Sequence, residues 1–236
     1  MSTNNAPEIQ VGDSLIKTSN CEKLLGIKID YKLTFDEHVS SLCKKANSKL
    51  RALARATPYM NIEKRKLIMN SFFNAQFNYC PLIWMLHSRY NNNKIKHLHE
   101  RCLRLTYCDK KSSYEELLEK DSSVSIHHRN IQSLAIEMYK VKKEIAPAIT
   151  ANVFSRMPEN HYNLRHRTDF ITPFARTVFH GTESISYLGP KIWDIVPSEL
   201  KEAQSLNSFK KSIRKWTPDT CPCRLCKRYV SGVGFM

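Results

Sequence analysis

Between residues 39 and 54, apolar side chains recur every three or four positions: Val39, Leu42, Cys43, Ala46, Leu50, Leu53 and Ala54. At about 100° per residue they share one face of a helix, and Lys44, Arg51 and Arg55 fall on the opposite face. That period belongs to a helix and not to a strand. The chain must therefore contain a long amphipathic helix whose apolar side needs a partner. Thr34, with Glu37 three residues on, predicts a capping box at its start, and Pro58 marks its end.

The remaining patterns arrange themselves around this helix. Short strands are predicted over 8–33, where Ile9 and Val11 alternate with polar neighbours and Gly12-Asp13, Asn20 and Gly26 punctuate the chain. Asn61 stands where it can cap a second helix. Leu67, Ile68, Met69, Phe72, Phe73, Ala75 and Phe77 are apolar nearly all round, which predicts a central buried helix that Pro81 kinks or ends. Asn91-Asn92-Asn93 read as a loop and cap before a third helix. That helix turns Ile95, Leu98, Cys102 and Leu105 inward and Lys94, His97, Arg101 and Arg104 outward. Helices follow at 113–118 and about 126–143, the second with a stripe of Ile131, Leu134, Ala135, Met138, Val141 and Ile145. Residues 172–185 are rich in β-branched and aromatic types and predict a hairpin turning at His180-Gly181-Thr182. Gly189-Pro190 should precede a short helical turn holding Trp193. Ser205 should cap a final helix that presents Phe209, Ile213 and Trp216 as its apolar side. The expected class is α+β, mostly α: strands over 1–33, a helical bundle over 34–155, a mixed region over 156–216 and a cysteine-containing tail over 217–236.

Composition narrows the function. With 236 residues and 42% hydrophobic content the chain can bury a real core. Only six glycines argue against a Gly-rich dinucleotide fold. No apolar run approaches the roughly 20 residues of a membrane span. The polar stretch 1–13 does not read as a signal peptide, so an intracellular site, nucleus or cytoplasm, is expected. Lys and Arg number 37 against 22 Asp and Glu, a net charge of +15. Most of the excess lies between residues 37 and 110, which hold 14 basic and 4 acidic side chains. Two basic helix faces result: Lys44, Arg51 and Arg55 on one helix, Lys94, Arg101 and Arg104 on another. Such faces suit the phosphate backbone of an RNA or DNA duplex; a merely solvated surface is the competing reading. Neither base specificity nor oligomeric state is legible.

No catalytic constellation stands out. There is no phosphate-binding loop, nucleophile elbow or His-Glu-x-x-His, and the eight aspartates are scattered. His127 and His128 are neighbours whose side chains leave a helix in different directions, so an ordinary helix-start or core role is favoured over a metal or catalytic one. Cys21, Cys43, Cys80, Cys102 and Cys108 read as buried reduced thiols. Cys221, Cys223 and Cys226 form a C-x-C-x-x-C cluster able to share one Zn²⁺, but structural zinc takes four ligands. His161, His166 or His180 can supply the fourth only through the fold. Unliganded tail thiols are the alternative.

Several of these segments carry a family resemblance. Lys23-Leu-Leu-Gly-Ile-Lys-Ile-Asp30, Leu33-Thr-Phe35 and His38-Val39 resemble the segment just after the palm of reverse transcriptases of jockey-like non-long-terminal-repeat retrotransposons. Lys45-Ala46, Leu50-Arg51-Ala52-Leu53, Phe77-Asn-Tyr79-Cys80-Pro81-Leu-Ile-Trp84 and His99-Glu-Arg101-Cys-Leu-Arg104 are similar to that family's thumb-like helices. Tyr162-Asn-Leu-Arg165, Ser184-Ile-Ser-Tyr187, Gly189-Pro190-Lys191-Ile-Trp193, Val196-Pro197 and Phe209-Lys210 resemble its C-terminal extension. The resemblance implies a grip on the template–primer duplex. The family's catalytic aspartates would lie upstream of residue 1, so this chain alone is expected not to polymerise, and Mg²⁺ belongs to a full-length polymerase. The cysteine cluster departs from the family's Cys-Cys-His-Cys knuckle by lacking its His. A repurposed nucleic-acid-binding module, or a relic or interaction domain with no binding role, are the alternatives.

Overall fold

A computed structural model of the protein describes residues 9–16, 19–86, 88–157, 168–218, 220–223 and 225–226. The class is α+β and mostly α. Strands β1 (Ile9–Val11) and β2 (Ser14–Ile16) form one antiparallel hairpin, and β3 (Cys21–Leu24) and β4 (Ile27–Asp30) a second. Leu25 and Gly26 both take positive φ in the tight turn of the second hairpin, the geometry that matches its twist. A hydrogen bond from the Tyr79 hydroxyl to the Leu25 carbonyl, 2.7 Å, holds that turn.

Helix α1 (Asp36–Ala56) buries Val39, Cys43, Ala46, Leu50 and Leu53 as its period requires, while Ala54 stays exposed. Its start keeps only the Thr34 half of the expected Thr34–Glu37 box: the Thr34 hydroxyl accepts from the Asp36 N–H at 3.4 Å. Asp30, at the end of β4, accepts from the backbone N–H groups of Thr34 (3.0 Å) and Phe35 (2.6 Å), and Glu37 pairs with Lys28 instead. A carboxylate receiving several backbone donors caps more strongly than a hydroxyl. Burial alone would raise the Asp30 pKa, and these bonds outweigh it and hold it low.

Asn61 caps α2 (Ile62–Ile68), which runs through a π-helical turn (Met69–Asn74) into α3 (Ala75–Phe77). The central buried helix expected here is a correction. Met69, Phe73 and Phe77 are buried, but Leu67 is 67% and Phe72 56% exposed. This segment packs on one side only, so its second apolar side lies open. The chain turns at Cys80 (φ 43), and Pro81 opens α4 (Pro81–Trp84).

Helix α5 (Arg89–Tyr107) is capped by Ser88, so Asn91–Asn93 lie inside it and not in a loop. Asn91 is buried because its amide donates to Asp36 Oδ1 at 2.5 Å. Further along, Arg101 Nη1 donates to Asn47 Oδ1 at 3.1 Å. Start therefore meets start: α1 and α5 lie side by side and parallel, with α2–α4 as the crossover between them. Helix α6 (Tyr114–Asp121) begins with a true capping box, Ser113 with Glu116. These helices share one apolar cluster around Leu50, Phe77, Trp84 and Leu103.

A second cluster is built on α7 (Ile126–Lys142), whose stripe residues Ile131, Leu134, Ala135, Met138 and Val141 are all buried; Ile145, past its end, is exposed. After α8 (Ala148–Ala151) and the bridge Arg156–Phe170, residues 172–185 contain no hairpin: a π-helical turn occupies Val178–Thr182. Ser184 caps α9 (Ile185–Ile195) five residues before Gly189, so Gly189 and Pro190 both lie within the helix. Gly189 is needed there, since a Cβ would stand 2.4 Å from the Phe154 ring. Helix α10 (Ser198–Lys201) leads to α11 (Leu206–Ile213), capped by Ser205 and burying Phe209 and Ile213. Helices α7, α9 and α11 and part of the tail close this second core. Among the described residues no helix is long and apolar enough to cross a membrane.

One buried group sets a pH dependence. His99 lies between α5 and α6, its Nδ1 2.8 Å from the Tyr114 hydroxyl and its ring stacked on Phe73. Burial, helped by Arg129, pushes its pKa down to about 3. The unfolded chain therefore binds a proton below about pH 6.5 that the folded protein refuses until near pH 3. Stability from this residue is complete above that window and falls as pH drops through it, by up to about 1.4 kcal/mol per pH unit. His38 contributes in the same direction. Urea midpoints should be lower at pH 5 than at pH 7, and His99→Gln should remove part of that difference. A pH dependence identical in His99→Gln and the parent chain would show that His99 is not the group responsible.

Candidate metal centre and basic groove

The fold brings together two features that the sequence left open. The first is a cluster of four metal-ligating side chains. Helix α11 ends at Ile213, and the carbonyls of Arg214 and Trp216 accept from the buried amide of Gln132 on α7, at 3.2 and 2.7 Å. That clamp sends the tail back along α7 toward its N-terminus. There Cys221 and Cys223 are buried, and the N–H of Cys226 donates to the Cys223 carbonyl to close a turn. His127 meets them from the first turn of α7. Its Nε2 lies 3.3 Å from Cys223 Sγ and 3.2 Å from Cys226 Sγ, and the four ligand atoms lie within 4.8 Å of one another.

The group can hold a metal ion. A tetrahedron with Zn–S near 2.3 Å and Zn–N near 2.0 Å has edges of about 3.5 to 3.8 Å, which this cluster reaches with small shifts. Hydrogen bonds from Cys221 and Cys226 hold the Cys223 thiol well below its usual range, against burial, and His127 adds to that. In return Cys221 is pushed up to about 12, first by its bond to Cys223. The N-terminus of a long helix beside the sulfurs also favours negative charge. His127 Nδ1 is buried with no partner among the described residues, so none of them supplies the hydrogen bond that usually orients a ligating imidazole.

His127 is the fourth candidate ligand, and the sequence does not single it out. His161 and His166 lie outside the described residues, as does the side chain of His180. Of the His127-His128 pair, His127 is the one that the structure sets beside the cysteines. Neighbours on a helix face different ways, and here one of them faces the tail. The other cysteines divide: Cys43 and Cys102 are buried and Cys21 is half-buried, but Cys80 and Cys108 are exposed.

The second feature is a groove of about 560 Å³ between the C-terminal halves of α1 and α5. Arg51 from α1 and Arg101 and Arg104 from α5 line it, and the exposed Lys110 closes one end. Leu50, Ala54, Pro58 and Leu105 supply its apolar lining. None of the residues lining it is acidic. The parallel packing decides this, since it sets equivalent turns of two basic helices side by side. The six residues expected to meet phosphate are not equivalent. Lys44, Arg51, Arg55 and Arg101 are exposed. Lys94 is half-buried with its ammonium 4.1 Å from the centre of the Tyr90 ring. Arg104 is half-buried and pairs with Glu100 at 2.7 Å, although its Nη1 is buried without an acceptor among the described residues. Arg55 and Lys44 do not line the groove but lie on the exposed side of the same helix.

No family model matches the chain, and no curated protein or solved structure is significantly similar to it.

Proposed function

We propose that this chain grips nucleic acid, as the C-terminal portion of an RNA-directed DNA polymerase of the non-long-terminal-repeat retrotransposon kind, and does not polymerise by itself. The polymerase part rests on the sequence resemblance. The nucleic-acid part rests on one observation: two parallel helices set Arg51, Arg101 and Arg104 around a groove whose lining holds no carboxylate. Cations in that arrangement neutralise phosphates and release their condensed counterions. The ion proposed for His127, Cys221, Cys223 and Cys226 is Zn²⁺. Three sulfurs and an imidazole are its donor set, and four protein ligands leave no open position, so its role is structural.

Binding to a nucleic-acid duplex, followed by fluorescence anisotropy across salt concentration, tests the first part. Each phosphate contact contributes a slope of about 0.7 to 0.9 in log affinity against log salt. With about four to six contacts, affinity should fall about 10²- to 10³-fold between roughly 50 and 200 mM salt. Changing Arg51, Arg55 and Arg101 to Gln should flatten the slope by about two to three units. The control is Lys211, Arg214 and Lys215 to Gln, an equal loss of charge from exposed positions at the other end of the chain. Equal weakening by both sets would reduce the effect to net charge and remove the proposed surface.

A further inference from the structure

The groove between α1 and α5 offers more than the row of cations that a duplex backbone needs. A duplex meets a protein through phosphates spread along a convex rod, and for that purpose a flat row of cations is sufficient. This groove is concave, and its lining sets Arg51, Arg101 and Arg104 beside the apolar Leu50, Ala54, Pro58 and Leu105. An anionic ligand with a flat apolar part fits that combination: phosphate to the arginines, ring to the apolar lining. Ala54 matters most. It lies on α1 at a position that the apolar stripe assigns to the core, yet it is exposed, and its small side chain keeps the groove open. Arginine in the lining has a second use, because its planar guanidinium stacks on bases as well as pairing with phosphate. Tyr59, next in the chain to Pro58, is 89% exposed and offers another ring face.

We infer that the groove is a binding site for an unpaired nucleotide of single-stranded RNA or DNA, the base over Ala54 and Leu105 and the flanking phosphates on Arg51 and Arg101. This rests on the reading above that the basic surface takes nucleic acid, and it names the form taken. A base in a duplex is stacked and paired on both sides and cannot enter, so the groove selects strands whose bases are free.

Three probes of equal length separate the possibilities: a single strand of roughly a dozen nucleotides, the same strand made abasic throughout, and the corresponding duplex. Stacking of one base contributes about 1–3 kcal/mol, so the intact strand should bind about tenfold tighter than the abasic one at the same salt. Ala54→Leu fills the groove without changing charge. It should bring the intact strand down to the abasic level and leave abasic and duplex binding as they were. Should Ala54→Leu fail to fold, Arg51→Lys with Arg101→Lys gives a second route. That pair keeps the charge and removes both guanidinium planes, so the salt slope should persist while the preference for intact strand disappears. Equal affinity of the parent chain for intact and abasic strands overturns the nucleotide site and leaves the duplex-binding proposal standing. Binding of none of the three probes overturns both.

Discussion

Purified chain should carry close to one zinc ion per molecule, and His127→Gln should lose that ion together with the packing of the C-terminal region. The expectation follows from where the ligands sit. Cys221 and Cys223 are part of the same apolar cluster as α7, α9 and α11, so the ion would close a core and not decorate a surface. It would also join two points 94 positions apart in sequence, His127 and Cys221, a long loop whose closure by a metal removes much freedom from the unfolded chain. Apparent binding free energies of about 10–16 kcal/mol for structural zinc in small peptides equal or exceed the whole stability of a typical domain, about 5–15 kcal/mol. Even if only about 5 kcal/mol reaches the folded state, the melting temperature should fall by about 10–20 °C on chelation or in the His127→Gln and Cys223→Ser variants. Cys80→Ser, at an exposed thiol outside the cluster, should change neither metal content nor melting. Metal-free parent chain with the same melting temperature in chelator would mean that the three sulfurs only pack.

The parts of the fold that were legible in sequence are those fixed by local chemistry. The stripe from Val39 to Leu53, the caps at Asn61 and Ser205 and the stripe from Ile131 to Val141 depend on neighbours within a turn or two, and each reappears in the structure. The failures share a different cause. Asn91 looked like a loop residue because its partner, Asp36, is 55 positions away. Asp30 joins Thr34 at the start of α1 because β4 ends close to it, which no local pattern states. Thr172–Ile185 carries strand-like composition, but a strand needs a partner, and among the described residues none lies beside it. The candidate sites divide in the same way. Three cysteines within six residues suggest a metal ligand set, with unliganded thiols as the alternative. The fourth ligand depends on α7 and the tail meeting, so only the shortfall of one ligand was visible. The basic faces were legible as faces, but not the parallel packing that turns two of them into one groove.

Trp193→Ala should cost about 3–5 kcal/mol of stability, and Trp193→Phe about 1–2 kcal/mol. Trp193 is fully buried where α9 packs on α7. Its ring meets Phe170 edge-on at 6.0 Å and Phe209 at the same distance. Two effects are combined in it, and the pair of variants separates them. Alanine removes nearly all the buried ring area and leaves a cavity that neither Phe170 nor Phe209 can fill without leaving its own contacts, which is the expensive part. Phenylalanine keeps most of that area and removes chiefly the indole N–H, which donates to Asp169 Oδ2 at 2.7 Å. Asp169 is not abandoned by the change, because Lys142 still pairs with the same oxygen at 2.8 Å. Burial on its own would raise the Asp169 pKa, and the bonds from Lys142 and Trp193 outweigh it and hold it low. Losing one of the two should let it rise toward its unfolded value, so Trp193→Phe should lose less stability than the parent as pH falls through the carboxylate range: its deficit should be constant near neutrality and narrow at acid pH. Urea unfolding read by the remaining tryptophans, Trp84 and Trp216, measures both variants. Equal losses for alanine and phenylalanine would mean that the hydrogen bond to Asp169, and not the packing of the ring, holds α9 against α7.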